Sequence, residues 1–189
     1  PGRGWAEVNT LDSMVFSFRG TNVSARPLPP EAQMSPAMGI AVADIDGDGH
    51  DDVFLAQNAP HLGAGPTRLD AGRGLWLLGN GKGSAGPVFG LGAEIDAEQV
   101  AVAAAAELSG DRRAGVAVLL RDGGVRMAWN RAAARSVWFR VAGPPGNPDG
   151  VGSTVRWLWN GVGTGPVRLI SLTQPTLTRG GGEIGRAHV

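Results

Sequence analysis

The sequence predicts an all-β fold assembled from small repeated sheets, and three observations carry that reading. Glycine and proline number 31 and 13 of 189 residues, a mixture that suits short strands joined by tight turns and disfavours helical bundles. Apolar residues alternate with polar or small ones in bursts of strand length. One unit, an apolar strand followed by an acidic loop and a second strand, occurs twice along the chain.

The bursts fall at 39–43, 53–57, 75–78, 100–106, 115–120 and 125–129. Between the last two stands Arg121-Asp122-Gly123-Gly124, whose glycines accept positive φ, so 115–129 reads as a β-hairpin. The helix-leaning stretches are 98–108, rich in alanine, and 131–135. Both are bounded by strand-like or turn-like sequence, and alanine alone is weak evidence for a helix. For the repeat, 39–48 aligns with 102–111 and places Asp44 opposite Glu107, an offset of 107 − 44 = 63. Units of this size cannot bury both sheet faces alone, which is the signature of propellers and solenoids.

Composition narrows the function. Hydrophobic residues make up 42% and charged residues 18%, enough for a substantial core. Lys plus Arg equals Asp plus Glu at 17, so there is no field of one sign to hold a phosphate backbone or an anionic membrane, and nucleic acid is excluded as an expected partner. The absence of cysteine removes disulfides, thiolate zinc sites and cysteine nucleophiles. The longest apolar run, 100–106, is too short to cross a bilayer, so no membrane insertion is expected. Residue 1 is Pro and no signal-peptide pattern follows, which predicts a fragment whose own N-terminus lies upstream. The last six residues, 184–189, resemble the translation of a sequencing adapter and are set aside as a tail, His188 with them.

Chemistry concentrates in Asp44-Ile45-Asp46-Gly47-Asp48-Gly49-His50-Asp51-Asp52. Asp44, Asp46, Asp48 and Asp52 present four carboxylates that repel one another unless a cation neutralises them. The spacing suits Ca2+: oxygens at positions 1, 3 and 5, a Gly at position 6 for the bend, a backbone carbonyl at 7 and a carboxylate at 9. Those positions are Asp44, Asp46, Asp48, Gly49, His50 and Asp52. His50 contributes its carbonyl in this reading, with its imidazole in solvent. Magnesium is disfavoured because it resists wrapping by so many protein oxygens. An EF-hand needs a Glu at position 12 and flanking helices, whereas position 12 is Leu55 within a strand-like run. The alternative is an acidic turn without metal. In the second copy Glu107, Ser109 and Asp111 keep part of the ligand set, but Arg112 replaces the bending Gly and Gly115 the last carboxylate. That loop is expected to keep the hairpin without calcium, with Arg112 and Arg113 supplying positive charge.

These residues resemble the FG-GAP or VCBS repeat family, whose loop reads D-x-D-x-D-G-x-x-D between two blade strands. Met38-Gly39 stands where Phe-Gly often does, Asn58-Ala59-Pro60 where Gly-Ala-Pro does, and 73–83 is similar to the family's strand and turn after the loop. Residues 137–153 resemble the start of an ASPIC/UnbV module, the small β-domain that follows such repeats in bacterial homologues of cartilage acidic protein. Its usual Gly-Ser-Gly-Tyr and closing strand are not visible after Arg168. The resemblance spans about residues 35–165. It implies all-β, FG-GAP-type β-propeller blades followed by a small, truncated β-domain: 1–34 a partial upstream blade or linker, 35–130 the propeller repeats, 136–175 the incomplete module. It further implies an extracellular or periplasmic calcium-binding module for adhesion, scaffolding or contact with protein or carbohydrate. A second reading makes the chain an accessory domain of a secreted or biosynthetic-cluster enzyme whose catalytic part lies elsewhere.

Other signals are weaker. Residues 81–86 fit G-x-G-x-x-G, but Pro87 follows and no helix opens there, so a glycine turn is the better reading than a dinucleotide site. Asn22-Val23-Ser24 fits a glycosylation sequon, a match common by chance. Six tryptophans (5, 76, 129, 138, 157 and 159) can stack on sugars, with Trp157 and Trp159 the best exposed pair, yet indoles in β-rich proteins usually fill gaps between sheets. No catalytic set is visible: His50 and His61 are the histidines outside the tail, His61 reads as a loop residue, and no serine sits in a nucleophile turn, so the chain is not expected to be an enzyme.

Overall fold

The computed structural model describes residues 10–59, 71–90, 94–105, 115–129, 137–159, 162–170, 176–179 and 187–188. Among them there is no α-helix, and every paired strand is antiparallel. The chain opens with the hairpin β1 (Met14–Arg19) and β2 (Asn22–Pro27). It is closed at its base where the Leu28 N–H donates to Ser13 O at 2.8 Å. One 3-10 turn, Pro30–Gln33, then leads into the first large sheet.

That sheet runs in the order β3 (Ala37–Ala43), β4 (Asp52–Gln57), β5 (Leu75–Gly79), β6 (Ala85–Val88). The second has three strands, β7 (Gln99–Ala105), β8 (Gly115–Leu120) and β9 (Val125–Trp129). The alanine-rich 98–108 stretch thus contributes a strand, because Ala101 to Ala105 find partners along β8 and sheet pairing overrides a weak local helix propensity. The hairpin expected at 115–129 forms. Its turn places Gly123 at φ 86°, with the Leu120 N–H donating to Gly124 O at 2.8 Å.

The two sheets share a core. Side chains alternate across a strand, so Phe54 and Ala56 of β4 face one way, with Ala41, Ile45 and Trp76, and meet Val116, Val118 and Leu120 of the second sheet. Phe54 and Trp76 pack edge to face, with ring centroids 4.8 Å apart. On the other side of β4, Leu55 joins Leu75, Leu77 and Ala32. Burial on both faces explains why β4 reads Val-Phe-Leu-Ala without polar interruption. Gln57, also buried, donates from Nε2 to Ala32 O and Ser35 O at 2.9 Å each, which ties the 3-10 turn to the sheet. Where β3 approaches β7 there is no room for a side chain: a Cβ on Gly39 would fall 2.8 Å from Val102 N.

The β3–β4 and β7–β8 hairpins share a pairing pattern. β3 and β4 shift register between Ala37 and Gly39, and β7 and β8 shift between Gln99 and Ala101. Ala43 faces Asp52 at the end of one hairpin, as Ala105 faces Gly115 at the end of the other. The returning strands therefore keep the 63-residue offset while the entering strands are 62 apart. Gly39 corresponds to Ala101 and not, as the sequence alignment had it, to Val102. One additional residue in the second connection, 106–114 against 44–51, absorbs the difference. That second loop, with Glu107, Ser109, Asp111 and both arginines, lies outside the described residues.

The C-terminal part forms two further sheets: β10 (Val137–Arg140) with β13 (Thr176–Arg179), and β11 (Thr154–Trp159) between β12 (Val162–Leu169) and β14 (Ala187–His188). Val141, Val155 and Ile170 make a small core, and Asn147 bonds both ways to the Val151 backbone. β13 is a closing strand beyond Arg168 that sequence reading did not place. Residues 187–188, set aside with the tail, pair with Trp157 and Arg156, since a ladder requires only backbone groups.

Phe54→Ala is expected to cost about 3–5 kcal/mol, the range for emptying a fully buried aromatic site. Val125→Ala, at an exposed position, should stay within about 0.5 kcal/mol. Urea unfolding of the two variants measures the contrast.

Candidate metal site

The acidic loop joins β3 to β4, where its bends are set by glycine: Gly47 and Gly49 hold φ of 86° and 89°, a region in which side chains are strained. Carboxylates organise the rest. Asp44, only 2% exposed, accepts the Gly47 N–H on Oδ1 at 2.8 Å and the Gly49 N–H on Oδ2 at 3.0 Å. The Asp48 N–H donates to Asp46 Oδ1 at 3.1 Å, and the His50 N–H to Asp48 Oδ1 at 2.8 Å. Each is a local side-chain to backbone bond of the kind that favours Asp in turns. Together they wind the loop so that Asp44, which is buried, and Asp46 and Asp48, which are exposed, lie close together.

Asp44, Asp46 and Asp48 converge, each offering an oxygen within 4.8 Å of the others. Oxygens that share one calcium ion at about 2.4 Å can be no further apart than about 5 Å, so the three fit a common ion. Each bonded oxygen also keeps a second lone pair for it. The arrangement resists charge without one. Burial raises the Asp46 carboxyl above its ordinary range, and the neighbouring Asp48 and Asp44 charges push in the same direction against the Asp48 N–H.

Asp52 holds a different position from the other three. It is fully buried at 0% exposure, and both of its oxygens accept backbone N–H groups: Ile45 to Oδ2 at 2.7 Å and Gly79 to Oδ1 at 2.8 Å. It therefore clamps the start of the loop and the end of β5 to β4. Burial pushes its carboxyl up to about 6 despite those two bonds, with Asp46 and Asp44 adding repulsion. His50 is half-buried, and its ring lies over Gly81, leaving no space for a Cβ there.

The partners of the Asp52 clamp escaped sequence reading. Gly79 lies 27 residues downstream of Asp52, and the one available signal was glycine itself: a Cβ at Gly79 would collide with the Asp51 carbonyl, and one at Gly81 with the His50 ring. Residues 81–83 form the tight turn between β5 and β6, with Asn80 Oδ1 accepting the Lys82 and Ser84 N–H groups at 2.9 and 3.2 Å. The G-x-G-x-x-G match is thus a hairpin turn. Trp76 is a core residue. His61 and Trp5 lie outside the described residues, as do the side chains of Trp138, Trp157, Trp159 and His188.

Comparison with known proteins gives no match. No family model fits the chain, no curated protein is similar to it, and no solved structure resembles it.

Two outcomes are expected for Asp52. Asp52→Asn replaces an acceptor with an amide that can accept only one of the two N–H groups, at a cost of about 1–3 kcal/mol in chemical unfolding. Its folded carboxyl titrates near 6, above the unfolded value of 3.8, so the folded state binds the extra proton and the charge penalty is fully present above about pH 6. In chelator, wild type should therefore gain stability relative to Asp52→Asn as pH falls from 7 to 4, read from paired denaturation curves.

Proposed function

We propose that this chain is a calcium-stabilised module of a β-propeller, outside the cell or in the periplasm, that binds a protein or carbohydrate partner and has no catalytic role. The observation that carries the reading is the convergence of Asp44, Asp46 and Asp48 on a glycine-bent loop between two strands of a packed sheet. An ion at this point offsets repulsion among the loop's own carboxylates and fixes the connection between β3 and β4. Calcium is favoured over magnesium because the donors are oxygens on a flexible loop, a set that suits a large ion with a variable coordination number.

The propeller part of the proposal is supported by the recurring hairpin, which keeps its bulge at the same register in both copies, and by face-to-face packing of consecutive sheets. A binding role is supported by composition and by the absence, from the sequence, of cysteine and tyrosine and of an evident nucleophile with its base.

An ion that binds only the folded loop stabilises it by mass action, about 2.7 kcal/mol at a hundredfold excess over Kd. For a chain of this length that corresponds to roughly 5–10 °C in Tm. Calcium should raise Tm by that order and EGTA should reverse it. An unchanged melting curve removes the proposal. Asp46→Ala should abolish the calcium dependence and Ser109→Ala should leave it intact, both measured by differential scanning calorimetry.

A further inference from the structure

The turn between β5 and β6 places an asparagine directly before a glycine, at an exposed position, and the surrounding structure holds both residues there. Gly81 has φ 67°, where a side chain is strained, and the His50 ring fills the space that a Cβ would need. Asn80 closes the turn. Its N–H donates to Ser84 O at 3.0 Å, and its Oδ1 accepts the N–H groups of Lys82 and Ser84 at 2.9 and 3.2 Å. The same pair is chemically reactive, because glycine puts no side chain between its own nitrogen and the carboxamide carbon of the asparagine before it.

The turn assists that reaction at its most demanding point. Attack of the Gly81 nitrogen on Cγ of Asn80 turns Oδ1 into an oxyanion. Two backbone N–H groups already lie on that atom, the arrangement that stabilises the tetrahedral intermediates of acyl transfer. The Gly81 N–H, which must lose its proton to attack, donates to no group among the described residues. None of the other described asparagines combines these features. Asn58 is 3% exposed, and its amide is tied to Asp96 O and Ala97 O at 3.1 and 3.2 Å. Asn147 precedes Pro148, which has no N–H. Asn22 precedes the β-branched Val23 within a strand ladder. The pair Asn160-Gly161 falls outside the described residues.

We propose that Asn80 is a site of spontaneous covalent modification, passing through a succinimide to aspartate and isoaspartate, that the β5–β6 turn promotes the step, and that the isoaspartate product loosens the Asp52 clamp. The bond from the Gly81 nitrogen to Cγ forms, the Cγ–Nδ2 bond breaks, and the Gly81 proton leaves with the carboxamide nitrogen as ammonia. Water then adds to one of the two ring carbonyls, with no oxidation or reduction. Opening at Cγ leaves aspartate in an unchanged backbone, still able to accept the two N–H groups. Opening at the main-chain carbonyl routes the chain through Cγ and lengthens it by one carbon. The turn is gripped on two sides, by the His50 ring at Gly81 and by Arg26, which donates to the Gly83 carbonyl. An added main-chain atom there displaces the ladder where Gly79 faces Ala85, and the Gly79 N–H is one of the two that hold Asp52.

The inference does not depend on an ion in the acidic loop, so the test is run in EGTA. The 189-residue chain is incubated at mildly alkaline pH in water labelled with heavy oxygen, folded and in parallel unfolded in urea, and tryptic fragments are followed by mass spectrometry. Fragment 74–82, which carries Asn80, should exchange its amide nitrogen for labelled oxygen at least tenfold faster than fragments 20–68 and 141–156, which carry Asn22, Asn58 and Asn147. Its rate in the folded chain should equal or exceed that in urea, and isoaspartate should be among the products. No label in fragment 74–82 overturns the proposal. A folded rate below the urea rate also overturns it, since the turn would then restrain the step. In the isoaspartate form, separated by chromatography, amide exchange of the Gly79 N–H should be at least tenfold faster than in fresh protein, whereas Asn80→Asp should exchange like fresh protein. Unchanged exchange in the isoaspartate form overturns the link to the clamp.

Discussion

The buried carboxylate of Asp52 joins three parts of the first sheet that are far apart in sequence. It sits on β4, receives the Ile45 N–H from the start of the acidic loop, and receives the Gly79 N–H from the end of β5. Burying a charge is costly unless it is well bonded, and two backbone donors are the return it obtains here. The bond to Ile45 holds the first residues of the loop against β4. From there the Asp44 bonds to Gly47 and Gly49 complete the curl and bring Asp46 and Asp48 alongside. The same group that orders the loop also adds to its negative charge. A cation among the neighbouring aspartates would relieve that conflict without disturbing the clamp.

Packing between the sheets depends on small residues at the inner strands. Gly39 lets the β3 backbone approach β7 more closely than any side chain permits, and the larger groups, Phe54 and Trp76, stand further out, where they meet Val116, Val118 and Leu120. Both faces of β4 are therefore covered, one by the second sheet and the other, where Leu55 lies beside Leu75 and Leu77, by Ala32 of the 3-10 turn. The second hairpin replaces Asp52 with Gly115 and so has no carboxylate at the equivalent of the clamp.

Much of this was legible in residue order. The strands of both sheets follow from alternation and turn residues, and the hairpin at 115–129 from its Asp-Gly-Gly turn. The acidic loop was legible because its ligand types and glycines are contiguous. What escaped was non-local. The bond from Gly79 to Asp52 joins residues 27 apart, and no local pattern encodes it. The offset of 62 in the entering strands was hidden because an ungapped alignment distributes one inserted residue wrongly, matching chemistry at Asp44 and Glu107 while slipping the strand by one. Similarly, β13 became a strand only by meeting β10, across more than thirty intervening residues. The wider family assignment rests on motif resemblance, and the fold supports its all-β part.

The bulge shared by the two inner hairpins bears on how the chain finds its own partners while it folds. Because both entering strands carry the irregularity at the same level relative to their returning strands, strand exchange between the copies would encounter no mismatch in the backbone ladder. Fidelity then falls to side chains. Asp52 finds an N–H in the right place when the strand beside it leads into Ile45, and Gly115 can make no such demand. Of the two hairpins, only β3–β4 has a carboxylate at this position, so only there does a side chain favour the strand that leads into Ile45.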